Sequence, residues 1–219
     1  MTTETEKPSG FSQFNLSQQL HKALAEAEFN TPTPIQQAAI PLALAGNDSI
    51  ACAQTGTGKT AAFLLPLITH LENNPNDTSL VLGPTREIVQ QISEAARQLT
   101  AHIPTLGVCS IIGGGRMDRQ LQSLAKRPRL VVGTPGRLND FLRRRKLNLS
   151  QCRVLIFDEA DRMLDMGFAP QIDEIVRFVP AERQTLMFSA TIAPAVEKIS
   201  KSYLKNPKSI SVGQRETVP

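Results

Sequence analysis

Seven short, continuously apolar runs punctuate this chain, at residues 49–53, 80–83, 107–112, 130–133, 154–157, 185–188 and 209–212, and helical patterns fill most of the intervals between them. A strand that alternates apolar and polar residues buries one face, whereas a strand that is apolar throughout must be covered on both. Crossover helices joining parallel strands provide that double cover. The expectation is an α/β fold, a doubly wound and mostly parallel sheet flanked by helices. Ligands of such sheets bind beyond the carboxyl ends of the strands, so the residues that follow each run are the ones to read for function.

Upstream of the first run, Leu16, Leu20, Ala23, Leu24 and Ala27 recur at helical spacing and stop before the prolines of Thr31-Pro32-Thr33-Pro34. A second helix is expected over residues 36–44, ended by Gly46. The polar residues 1–10 are expected to form a flexible tail, residues 11–212 the domain, 72–79 an exposed loop, and 213–219 the start of an interdomain linker. With 219 residues, 41% hydrophobic and 20% charged, the chain has material for one large core, which excludes general disorder. No apolar stretch approaches the ~18 residues needed to span a bilayer, and the N-terminus lacks the apolar centre of a signal peptide. A cytoplasmic protein without a membrane partner is therefore expected. Cys52, Cys109 and Cys152 are odd in number and widely spaced, which disfavours disulfides and structural zinc and points to reduced strand fillers. A net charge of +4 permits a polyanionic partner without identifying one.

The chemistry begins after the first run, with Ala53-Gln54-Thr55-Gly56-Thr57-Gly58-Lys59-Thr60 between a strand and a helix. Glycines at 56 and 58 let backbone amides approach phosphate oxygens, and the helix start adds positive dipole. Lys59 would reach the β/γ-phosphates, and the Thr60 hydroxyl suits Mg²⁺. The usual phosphate-loop pattern would place Gly at 53, where this chain has Ala. The run at 154–157 then delivers Asp158-Glu159-Ala160-Asp161 at a strand end. Nucleotide hydrolysis needs one carboxylate for the metal and one to orient the attacking water; Asp158 and Glu159 take those roles.

With these motifs in place, residues 11–212 resemble the first RecA-like domain of the DEAD-box RNA helicases, a family named for the tetrapeptide that stands here at Asp158 to Asp161. Phe29-Asn30-Thr31-Pro32-Thr33-Pro34-Ile35-Gln36 is similar to that family's Q motif, with Phe11 as its upstream aromatic and Glu28 where the family usually has Gly. The resemblance implies that ATP is bound with Mg²⁺ through Phe11, Phe29, Gln36, Thr55, Gly56, Thr57, Gly58, Lys59 and Thr60. It implies that Gln36 meets the adenine edge and Phe11 its face, a match with the donor–acceptor pattern of an amide and with base–aromatic stacking. It implies that Pro84-Thr85-Arg86, Gly114-Gly115 and Thr134-Pro135-Gly136-Arg137 grip the RNA sugar-phosphate backbone without reading sequence. Ser189 and Thr191 of Ser189-Ala190-Thr191 resemble the motif that couples nucleotide state to unwinding, here through hydroxyl bonds to Asp161. Arg143-Arg144-Arg145-Lys146 reads as a solvated helix end, with an auxiliary RNA patch as the weaker reading.

Family members carry a second RecA-like domain, and 28 residues follow Thr191 here. The expectation is a monomeric fragment that needs that second domain as partner to hydrolyse ATP and unwind short RNA duplexes. An ATP-dependent RNA clamp and a DNA translocase on the same core stand as alternatives.

Overall fold

A computed structural model describes residues 10–212; the expected tail over 1–9 and the linker over 213–219 lie outside the described residues. The chain opens with a 3₁₀ turn at Gly10–Gln13, followed by α1 (Gln18–Glu26), α2 (Pro34–Leu44), β1 (Ser49–Cys52), α3 (Lys59–Asn73), β2 (Thr78–Leu82) and α4 (Arg86–Leu99). It continues with β3 (Val108–Ile111), α5 (Met117–Ala125), β4 (Leu130–Gly133), α6 (Pro135–Arg143) and β5 (Cys152–Phe157). The last elements are α7 (Ala160–Asp165), α8 (Ala169–Val176), β6 (Gln184–Ser189), α9 (Pro194–Tyr203) and β7 (Lys208–Ser211). Gly10, placed in the expected tail, instead starts the first turn: at φ +64° it lies so close to Asn30 that a Cβ would sit 2.8 Å from the Asn30 carbonyl oxygen.

The seven strands form one sheet in the order β3-β4-β2-β5-β6-β1-β7, and every described pairing is parallel. The apolar runs are explained by two cores, one on each face. Val81, Val132, Val154, Ile156, Leu186 and Phe188 point into a core built with α1 to α4. Their neighbours Leu80, Leu82, Val131, Leu155, Phe157 and Met187 point into a second core with α6 to α9. Adjacent residues of one strand thus serve opposite faces, as the period of two requires. Phe63 of α3 meets Phe188 at 5.3 Å between ring centres, tying the helix that follows the glycine-rich loop to β6.

The three cysteines sit buried and unbonded in β1, β3 and β5. Burial pushes the thiols of Cys109 and Cys152 up to about 11 and about 12, so both are inert packing groups.

Several buried or half-buried polar side chains finish elements rather than perform chemistry. Arg129 donates to the carbonyls of Leu71, Asn74 and Asp77, closing the C-terminus of α3. Asp48 accepts the Thr185 N–H at 2.8 Å and the Lys205 N–H at 2.6 Å, fixing the start of β6 and the approach to β7. The loop expected over 72–79 is shorter than that. Its first two residues complete α3 and Thr78 and Ser79 begin β2, where the Ser79 N–H enters the ladder at the Arg129 carbonyl and the residue is buried.

The end of α1 shows what Glu28 does in place of glycine. The Phe29 N–H bonds the Leu24 carbonyl and the Glu28 N–H the Ala25 carbonyl, the paired closure in which the penultimate position is left-handed. Glu28 holds φ +58°, a conformation that costs a residue with a Cβ about 1–2 kcal/mol. Glu28→Gly should therefore stabilise the domain by about 1 kcal/mol and raise its melting temperature by ~2–4 °C. A calorimetric scan showing no rise would contradict this account.

Candidate nucleotide and nucleic-acid site

The sheet order sorts the motif loops into two groups along one edge. The loops after β1, β5 and β6 carry residues 53–60, 158–161 and 189–191, and these strands adjoin one another. The loops after β2, β3 and β4 carry residues 84–86, 113–115 and 134–137, and these strands form the other half.

In the first group, Ala53 is buried and donates its N–H to the Ser189 carbonyl at 3.0 Å, so its methyl belongs to the core and glycine is not needed there. Gly56 and Gly58 hold φ +81° and +90°, turning the backbone toward the start of α3. A Cβ on Gly58 would lie 2.5 Å from Gln36 Nε2, because that amide donates to the Gly58 carbonyl at 3.0 Å. Gln36 Oε1 in turn accepts the Thr33 N–H at 2.9 Å. In this structure the amide assigned to adenine spans from the start of α2 to the glycine-rich loop. Thr57 donates its hydroxyl to the Gln54 carbonyl at 2.7 Å, while Thr55 is exposed and Thr60 half-buried.

Lys59 is 6% exposed and its Nζ is buried without a hydrogen-bond partner among the described residues. An orphaned buried ammonium is costly, and an anion is the natural remedy. It borders a cavity of about 360 Å³ lined by Thr55, Gly56, Thr60, Gln91, Asp158 and Glu159 among others. Burial pushes the Asp158 carboxyl up to about 6, partly offset by the Lys59 charge and reinforced by that of Glu159. Glu159 adopts φ +51° at the start of α7 and pairs with Arg162 at 3.2 Å. A non-glycine residue held left-handed beside a buried carboxylate is the kind of strain that functional sites retain.

Asp161 is the junction of β5 and β6. Its carboxylate accepts both the N–H and the hydroxyl of Thr191 at 3.0 Å, and its own N–H donates to Ser189 Oγ at 3.2 Å. Burial alone would raise the Asp161 carboxyl, yet the bonds from Thr191 and Ser189 bring it below its ordinary value.

In the second group, two predicted loops are helix starts. Thr85 caps α4, its hydroxyl accepting the Ile88 N–H at 3.3 Å, and Thr134 precedes Pro135 as the first residue of α6. Pro84 is buried and Gly136 exposed. Arg86 lies over Gly114, where a Cβ would sit 2.7 Å from a guanidinium nitrogen. Arg137 lies 5.8 Å from the Phe141 ring centre and keeps one guanidinium nitrogen buried without a hydrogen-bond partner among the described residues. The basic run is a helix end: Arg143 forks onto Glu174 and Arg144 binds Asp140.

A family model described as DEAD/DEAH box helicase matches residues 33–199, which include every motif loop of both groups. The chain belongs to the DEAD/DEAH box helicases. It is 44% identical over 207 residues to the ATP-dependent RNA helicase CshA of Listeria monocytogenes, covering 94% of this chain and 40% of that protein. It is 43% identical over 206 residues to the DEAD-box ATP-dependent RNA helicase RhpA of Helicobacter pylori, covering 94% and 42%. It is 45% identical over 212 residues to the ATP-dependent rRNA helicase rrp3 of Schizosaccharomyces pombe, covering 96% and 45%. The chain thus spans less than half the length of these relatives.

Two features of this helicase domain differ from or escape the sequence reading. Phe11 is not an open stacking face here. It is 5% exposed, edge-on to Phe14 at 6.0 Å and to Phe29 at 6.1 Å, because the 3₁₀ turn folds it into the core; Phe29, 38% exposed, is the accessible ring. Gln120 was missed: its amide donates to the Ile112 carbonyl and accepts the Ile112 N–H, both at 3.0 Å, completing the end of β3 as a strand partner would. That pairing orders the loop of Gly113, Gly114 and Gly115, and no local pattern announces it.

The raised Asp158 carboxyl has a defined consequence for stability. Between its ordinary value of 3.8 and about 6 the folded state binds the extra proton, so stability is lost as pH rises through that window, by about 3 kcal/mol at most. Asp158→Asn should melt higher than the parent domain at pH 7.5 without nucleotide, with the difference closing by pH ~4. A variant that melts lower at pH 7.5 would refute the burial cost.

Proposed function

We propose that this chain is the ATP- and RNA-binding first domain of an ATP-dependent RNA helicase. The observation that carries the reading is the buried, partnerless ammonium of Lys59 in a cavity shared with Asp158 and Glu159, on the same sheet edge as the loops around Arg86, Gly114 and Arg137. A triphosphate would supply the hydrogen-bond acceptors that Lys59 Nζ lacks and accept amides of the loop around Gly56 and Gly58. The donor set also suits Mg²⁺: one hydroxyl from Thr60 and one or two carboxylates, completed by phosphate oxygens and water, is the usual arrangement. When bound, the ion would neutralise charge on the phosphates; Asp158 would hold it and Glu159 would orient the attacking water.

Adenine would be met by Gln36 after its amide exchanges the Gly58 or Thr33 contact for the base edge, with Phe29 and Phe11 nearby. RNA would lie along the helix starts at Thr85 and Thr134 and the amides of residues 114–115, held by its backbone and therefore without sequence preference. Asp161, Ser189 and Thr191 would transmit between the two ligands. Hydrolysis at useful rates, and unwinding, would await a second RecA-like domain, since an arginine supplied from outside a phosphate site contributes ~10³–10⁵ in rate.

The test is direct. Residues 1–219 should bind ADP more tightly than GDP, and Lys59→Ala should weaken ADP binding at least ~10-fold. Equal affinity for ADP and GDP would overturn the adenine assignment. The same chain should show negligible RNA-stimulated ATP turnover, and robust turnover by it would overturn the need for a second domain.

A further inference from the structure

The cavity around Lys59 has a wall that the motifs do not supply. Ile88, Gln91 and Ile92 of α4 line it together with the glycine-rich loop. Gln91 is the polar member of that wall, exposed to the cavity, and its side-chain amide makes no hydrogen bond among the described residues. Its neighbour Gln90 faces the other way, into a cleft with Glu94 and Arg97, as the 100° step of a helix requires.

We propose that Gln91 binds the terminal phosphate end of the nucleotide, so that α4 distinguishes a triphosphate from a diphosphate. The inference rests on the nucleotide reading above. The position within the cavity carries it: the lining includes Lys59, Thr60, Asp158 and Glu159 but neither Gln36 nor Phe29, so this is the phosphate end rather than the base end. An amide there can donate to a γ-phosphate oxygen through Nε2 and accept from a water through Oε1. A neutral amide suits that place, since it adds a donor without adding charge beside Asp158 and Glu159.

The helix is braced for the purpose. Gly83 at the end of β2 packs so closely that a Cβ would lie 3.2 Å from Val89 and 3.3 Å from Ile88. Ser93 donates to the Val89 carbonyl and accepts the Ser110 hydroxyl at 2.8 Å, joining α4 to β3. The same helix starts at Thr85 and Arg86, the latter over Gly114. A contact made at Gln91 therefore bears on the first turn of the helix that faces RNA.

The test uses the 219-residue chain with Mg²⁺, titrated with ADP and with the non-hydrolysable triphosphate analogue AMP-PNP. Gln91→Ala should weaken AMP-PNP binding by roughly 10- to 100-fold, the loss of one hydrogen bond to a charged group, and leave ADP unchanged. Gln91→Glu should weaken AMP-PNP further by placing a carboxylate against the phosphate. Gln90→Ala, one residue away on the same helix, should alter neither nucleotide. Equal loss for ADP and AMP-PNP, or no loss for either, would overturn the assignment. A parent chain that binds neither nucleotide would instead overturn the functional reading, and this inference with it.

Discussion

The placement of β5 is the constraint on which the rest of the site depends. It pairs with β2 on one side and β6 on the other, Val81 opposite Ile156 and Leu186 opposite Ile156 in the two registers. Its residues are buried on both faces, Val154 and Ile156 in one core and Leu155 and Phe157 in the other. A slip of one residue would exchange the two sets, so the register is fixed by packing. Phe157 then hands over to Asp158 at the edge where every other motif loop emerges, and Asp158 donates that edge's N–H to the Leu82 carbonyl at 2.9 Å. The loops after β1, β5 and β6 and the loops after β2, β3 and β4 meet at this junction because β5 and β2 are neighbours.

The same junction is where the fold sacrifices stability. Lys59 is buried without a partner, Asp158 is buried with its carboxyl pushed up to about 6, and Glu159 is held left-handed. Each of these costs the unliganded fold stability, and on the proposed function each would be relieved or used when an anion and a cation enter together. A ligand that binds only the folded state adds stability by mass action, and here it would also remove specific penalties. The surrounding cores supply the rigidity: Phe63 against Phe188 beneath the loop, and Arg129 and Asp48 closing ends that would otherwise leave carbonyls and amides unpaired.

How much of this was legible in the sequence follows from what each residue's role depends on. The strands were legible because burial on both faces demands continuous apolarity; β4 matches its run residue for residue, and β5 and β6 extend theirs by a residue or two. The glycine-rich loop and the acidic turn stand out in the sequence because each is a contiguous run directly after a strand. Strand order was not, since every parallel run presents the same pattern to a reader. The burial of Phe11 was not legible, because an aromatic near a motif can as well enter a core, and only the turn at Gly10 and its contact with Asn30 decide that. Gln120 and Gln91 were invisible for a related reason. A glutamine on an amphipathic helix carries no signature until the fold shows what lies opposite it.

The loops of the edge are tied by two physically different routes, one within the group that follows β1, β5 and β6 and one reaching the group that follows β2, β3 and β4. One is polar and short: Asp161 in the first turn of α7 accepts the amide and hydroxyl of Thr191 and donates its own N–H to the Ser189 hydroxyl, so a shift of the acidic turn is felt directly by the loop after β6. The other is a packed helix, α4, held to β2 through Gly83 and to β3 through Ser93 and Ser110, with Arg86 at one end and Gln91 on the cavity wall. Hydrogen bonds to a single carboxylate can be broken singly, whereas a braced helix moves as a body. On the proposed function, a domain with both would answer local change beside Lys59 in two ways, singly at the bonds of Asp161 and as a body through α4, which reaches from the Lys59 cavity to Arg86 over Gly114.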